Sequence, residues 1–81
     1  MREEELSESE QRLLATIYEQ TRGTSTIPVY PAYLALQPQW RDRRIGPLVR
    51  RLLTLGYLQQ APNRTLTITP AGIRRIAQER P

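Results

Sequence analysis

Five arginines, Arg41, Arg43, Arg44, Arg50 and Arg51, stand in the run RDRRIGPLVRRLLTLGYL, residues 41–58, with one acid, Asp42, among them. A guanidinium group is a permanent cation with a planar fork of donors. It holds phosphate oxygens and can take the O6/N7 edge of guanine by two bonds. At about 100° per residue, Leu48, Leu52 and Leu55 form a buried stripe with Ile45 and Val49 beside it. Arg43, Pro47, Arg50 and Thr54 fall on the opposite side, flanked by Arg44 and Arg51. A helix divided in this way can pack on a small core with one face and enter a nucleic-acid groove with the other.

Composition narrows the chemistry further. The 81 residues include no cysteine and no histidine, so no disulfide is available and the usual zinc ligand sets cannot be assembled. There is no Gly-rich phosphate loop, and no nucleophile and base stand at a useful spacing, so no catalytic role is expected. No cofactor and no small-molecule ligand are expected either. No apolar run approaches the ~20 residues of a membrane span, and no signal-peptide pattern opens the chain. The expected location is cytoplasmic, without membrane contact.

The net charge of +4 hides an uneven distribution. Residues 1–10 hold five glutamates and one arginine, whereas residues 11–81 hold eleven arginines and three acids. The body is therefore strongly basic behind an acidic lead-in, which favours a polyanionic partner through counterion release. All twelve basic residues are arginine. The plainer account of that count is a solvated surface from a GC-rich genome or a thermophile.

The elements that must position these groups are legible in outline for one domain spanning residues 1–81, with 1–6 as a flexible lead-in. Ser7 and Glu10 form a capping box for a helix over 8–22, with Leu13, Leu14, Ile17 and Tyr18 on one face and Gly23 as its stop. Ile27–Val29 is a short extended piece that Pro28 and Pro31 limit to an edge strand or an irregular segment. Pro31 opens a short helix to about Gln37, which Pro38 ends. Pro47 cannot lie deep in a helix, so the basic helix begins near Ile45 or Gly46 and runs to Leu55, where Gly56 stops it. Arg41–Arg44 then form a separate turn or a kinked first turn, with Asp42 paired to an arginine or capping. Residues 57–61 and 65–69 read as two strands around a turn at Pro62, Asn63 and Arg64, the second alternating cleanly with Leu66 and Ile68 on one face. Thr69 caps a last helix that Pro70 opens and that ends near Glu79. Tyr18, Tyr57 and Trp40 are expected in the core, and Tyr30 and Tyr33 along the approach to the groove.

The order helix, extended piece, short helix, basic helix, hairpin, helix resembles a winged helix-turn-helix domain over residues 7–78. Leu52, Leu55, Gly56, Tyr57 and Leu58 resemble that family's step from recognition helix into wing. Leu66 to Ile76, with Thr69, Pro70, Ala71 and Gly72, resembles the wing strand and following helix of MarR- and PadR-type regulators. Gln11, Gly23, Thr24 and Pro28 resemble the DNA-binding domain of the LexA repressor in the N-terminal half. Gly46-Pro47 departs from the pattern inside the helix that should read DNA.

The resemblance implies an α+β fold with a three-helix core, a two-stranded β-hairpin wing and a C-terminal helix. It implies sequence-specific binding of double-stranded DNA by a small prokaryotic, plasmid or viral transcriptional regulator. The third helix would lie in the major groove and the wing on the backbone or minor groove. Carried over by position, Arg43, Arg44 and Pro47 come nearest base edges. Arg50 and Arg51 hold phosphates, and Arg64 touches backbone or minor groove from the wing tip. Arg41, Thr54 and Asn63 complete the expected DNA-binding set, while Arg74 and Arg75 belong to a solvated face. A homodimer would read two half-sites through the first helix, the last helix or the wing; the sequence does not choose. The rival reading is a winged-helix module that binds another protein, since one fold hosts both uses.

Overall fold

Ser7 Oγ accepts from Glu10 N at 3.1 Å, and Glu10 Oε1 accepts from Ser7 N at 2.8 Å. These two bonds satisfy donors that a helix start leaves open, and α1 (Glu8–Gln20) follows from them. The computed structural model describes residues 6–41 and 43–79. Most of the acidic lead-in, residues 1–5, and the expected pairing or capping by Asp42 lie outside them. Leu6, assigned by sequence to the flexible lead-in, is buried with the core.

The end of α1 differs from expectation. The helix stops at Gln20, and Thr21, Arg22 and Gly23 wrap it closed. Arg22 N bonds Glu19 O at 3.2 Å and Gly23 N bonds Tyr18 O at 2.9 Å. This is the two-bond pattern that closes a helix through a left-handed residue. That residue is Arg22, at φ +55°, ahead of Gly23 at φ +73°.

Val29 forms a single antiparallel bridge to Leu66, with N–O distances of 2.7 and 2.8 Å. Pro28 and Pro31 prevent the bridge from lengthening, because neither offers an N–H. Next come α2 (Pro31–Leu36), which buries only Leu34 completely, and a one-turn 3-10 helix, Pro38–Trp40. Trp40, 1% exposed, is the largest fully buried side chain.

The basic helix, α3 (Gly46–Thr54), begins where Pro47 requires. Pro47 sits in the first turn, where its missing N–H removes no intrahelical bond. Its inner face is centred on Ile45, Val49 and Leu52, which are buried, while Leu48 and Leu55 are half-buried at its margins. Gly56, at φ +84°, closes the helix, and Tyr57 N bonds Leu52 O at 3.0 Å.

Two strands, β1 (Leu58–Gln60) and β2 (Leu66–Ile68), pair antiparallel, with Leu58 opposite Ile68 and Gln60 opposite Leu66. Backbone bonds from Ala61 N to Thr65 O (2.9 Å) and from Thr69 N to Tyr57 O (3.1 Å) extend the pairing over the full expected span, although the regular ladder is three residues long on each side. Finally, α4 (Pro70–Glu79) packs on α1, which also packs on α3. The described residues thus form a small α+β fold of four α-helices and one hairpin around a single hydrophobic cluster. No helix among the described residues is long and apolar enough to cross a membrane.

Candidate nucleic-acid interface

Burying Ile45, Val49 and Leu52 turns the opposite side of α3 to solvent. Gly46, Pro47, Arg50, Arg51 and Thr54 are exposed there and together line an open depression of about 420 Å³. Pro47, Arg50, Arg51 and Thr54 were expected on this face. Gly46 was not, because sequence reasoning treated it only as a boundary problem. On helical spacing Gly46, Arg50 and Thr54 form one row and Pro47 and Arg51 the next, so each row carries one guanidinium.

The start of α3 has no side-chain cap, since Ile45 supplies none. Pro47 has no N–H to be satisfied. The remaining amides of that turn face outward along the axis at the positive end of the helix dipole, an arrangement suited to an anion. Arg44, directly ahead, is exposed, as is Arg41. Among the described residues, no side-chain hydrogen bond or ion pair engages Arg41, Arg44, Arg50 or Arg64.

Arg43 is placed differently from its neighbours. Its Nη1 donates to Ser9 Oγ at 3.4 Å, and its guanidinium carbon lies 5.8 Å from the centre of the Trp40 ring. It lines a recess with Glu8, Ser9 and Arg12. Arg43 therefore leans on α1 and does not join the α3 face that carries Pro47. The reason is the turn after Trp40, held by Arg43 N to Trp40 O at 3.1 Å, which carries the side chain back over the indole. Beneath it Trp40 Nε1 is buried without a hydrogen-bond partner.

At the far end of the hairpin Asn63 and Arg64 divide the work. Asn63 Oδ1 accepts from Thr65 Oγ1 at 2.8 Å and from Thr65 N at 3.2 Å, so this half of the amide builds the turn. Arg64 N closes the turn on Ala61 O at 2.8 Å. Arg64 is exposed and held at φ +72°, the left-handed region that glycine or asparagine ordinarily fills. Arg75 lies over the Tyr57 ring at 5.9 Å, while Arg74 is exposed.

The structure thus brings together Pro47, Arg50, Arg51 and Thr54, adds Gly46, and sets Arg41 and Arg44 ahead of them. Arg43 is moved to α1, and Asn63 and Arg64 form a separate tip. Compared with known protein families, curated proteins and solved structures, the chain matches none.

Proposed function

We propose that this chain is a winged helix-turn-helix domain that binds double-stranded DNA with sequence preference, as a small transcriptional regulator does. In this reading α3 enters the major groove and the β1–β2 hairpin, as the wing, meets the neighbouring backbone or minor groove. The observation that carries it is the outer face of α3, where exposed guanidinium groups flank Gly46, Pro47 and Thr54. Arg50, which engages no described side chain, is the arginine best placed for a base edge. Arg41, Arg44 and Arg64 suit phosphates, and the uncapped start of α3 adds backbone donors for one.

The test is the salt dependence of duplex binding. Three neutralised phosphates give a log–log slope of about −2.7, and a fourth, at Arg51, brings it to about −3.6, at roughly −0.9 each. No retention on duplex DNA at low salt, or a flat slope, rejects the reading.

A second reading, a protein-binding module, is favoured by one observation. Ile27, Tyr30, Tyr33 and Leu36 are exposed at 38–68%, with Tyr30 and Tyr33 edge to face at 5.8 Å. Residues 23–40 contain no charged side chain at all. An apolar, uncharged patch is also where two copies of a basic domain meet without like-charge repulsion, which makes it the expected contact of a homodimer on paired half-sites.

A further inference from the structure

Arg12 and Arg43 line two recesses beside α1. The first also has Glu8 and Ser9 in its wall, and the second, of about 250 Å³, has Thr16, Glu19, Gln39 and Trp40. Among the described residues, Trp40 Nε1 is the one buried side-chain nitrogen or oxygen without a hydrogen-bond partner. An indole N–H only donates, so what it lacks is an acceptor. Buried polar groups are satisfied in native folds as a rule, and an exception points to a bound water or ion. The neighbouring side chains favour an anion. Arg43 gives one N–H to Ser9 Oγ and leaves the rest of its fork without an acceptor. Ser9 accepts that bond and gives its own hydroxyl proton to no described group. Glu8 is already paired with Arg12 at 3.1 Å, and neither Glu8 nor Glu19 engages Arg43.

We infer that Arg43, Ser9 and the Trp40 N–H form a binding site for one phosphate group. The site itself requires only an oxyanion. That the phosphate belongs to the duplex backbone rests on the DNA-binding reading, and it adds one contact to those of Arg41, Arg44 and Arg64. Trp40 Nε1 is buried, so the oxyanion reaches it by displacing a neighbour. Arg43 can yield, because its bond to Ser9, at 3.4 Å, is longer than the usual span of about 2.7–3.2 Å. A phosphate oxygen is also the stronger, charge-assisted acceptor for the same fork. A phosphate contact fixes position without reading sequence, which suits an arginine set apart from the α3 face.

Trp40 is the only tryptophan, so its indole N–H gives one resonance in a proton–nitrogen spectrum of the full chain. In one arm inorganic phosphate is titrated against chloride at matched ionic strength, and in the other a duplex is added at low salt. The indole resonance is expected to move with phosphate and with the duplex, but not with chloride. Arg43→Gln should weaken the phosphate response about tenfold, the worth of a hydrogen bond to a charged group, and Ser9→Ala should weaken it in the same direction. On duplexes Arg43→Gln should lower affinity alike for every sequence and flatten the salt slope by about 0.9, one phosphate. Movement with inorganic phosphate and no retention of any duplex overturns the DNA-binding reading and keeps the oxyanion site. A duplex bound with a negative salt slope while the indole resonance stays in place overturns the site and leaves DNA binding standing. An indole resonance that neither phosphate source moves overturns the site outright.

Discussion

The Thr69 hydroxyl donates to the Gly56 carbonyl at 2.6 Å and accepts from Gly72 N at 3.1 Å. One oxygen therefore caps α4 and fastens it to the residue that ends α3. The first bond crosses the hairpin, so the helix proposed to read DNA is tied to the C-terminal helix directly. Thr69→Val keeps the shape and deletes both bonds. Loss of an N-cap costs about 0.5–2 kcal/mol, and the Gly56 carbonyl is near enough to solvent to recover water. Urea denaturation is expected to show stability lower by about 1–2 kcal/mol with an unchanged m-value. An unaltered midpoint would show that the hydroxyl holds nothing.

Gly72 reverses the usual rule for helices. Replacing glycine by alanine inside a helix ordinarily gains up to about 1 kcal/mol. Here a Cβ would collide with the Tyr57 carbonyl oxygen and come within 2.8 Å of Ile68 Cγ1. The same Tyr57 carbonyl already accepts from Thr69 N, so it cannot yield without opening the hairpin. Gly72→Ala is expected to destabilise by about 1–3 kcal/mol, the usual cost of overpacking. A stabilised variant would mean that α4 does not sit this close to the strand.

Arg22 and Gly56 occupy equivalent places at the ends of α1 and α3, and both are left-handed. A side chain there costs about 1–2 kcal/mol in the backbone, part of which glycine gives back through unfolded-chain entropy. Arg22→Gly is therefore expected to raise stability by about 0.5–1 kcal/mol. Gly56→Ala should lower it by about 1 kcal/mol, although its Cβ would meet nothing within 4 Å. Thermal melts of the pair test the backbone account, because no packing difference contributes at Gly56.

What was legible beforehand follows the range of the interactions. The Ser7–Glu10 box, the start of α3 at Gly46 and its stop at Gly56 all rest on rules that act within a few residues, and all three are present. The outer face of α3 follows from helical spacing alone. The Val29–Leu66 bridge joins residues far apart in the chain, and the position of Arg43 depends on Ser9 thirty-four residues away. Neither has a local signature. The end of α1 was misplaced because Gly23 attracted the left-handed role. In the fold Gly23 is also needed where the Tyr18 ring passes, 3.1 Å from where its Cβ would be.

Arg64 combines a strained backbone with an exposed cation. Holding a long side chain at φ +72° costs stability that glycine would not, so the position contributes through its guanidinium if it contributes at all. Arg64→Gly is expected to stabilise the fold by about 0.5–1 kcal/mol. It should also weaken duplex binding and flatten the salt slope by about 0.9, one phosphate contact. Arg64→Asn, which tolerates the same backbone, should weaken binding equally. Full binding by both variants would remove the hairpin tip from the interface.

Arg43 and Arg50 separate the structural reading of the basic run from the one based on charge count. Counting treats them alike, since both are exposed arginines in one cluster. The structure gives Arg43 a contact with Ser9 and a place over the Trp40 ring, and leaves Arg50 among the residues that line the α3 depression. A cation over an indole at an exposed site is worth about 0.5–1 kcal/mol. Arg43→Ala should cost about that much stability and leave the selected DNA sequence unchanged. Arg50→Ala should leave stability nearly unchanged. Losing a bidentate grip on one base should cost about 1–3 kcal/mol of discrimination at that position. Measured on the selected duplex and its single-base variants, the reverse result, with Arg43 relaxing one position and Arg50 none, would move the reading head from the middle of α3 to the turn before it.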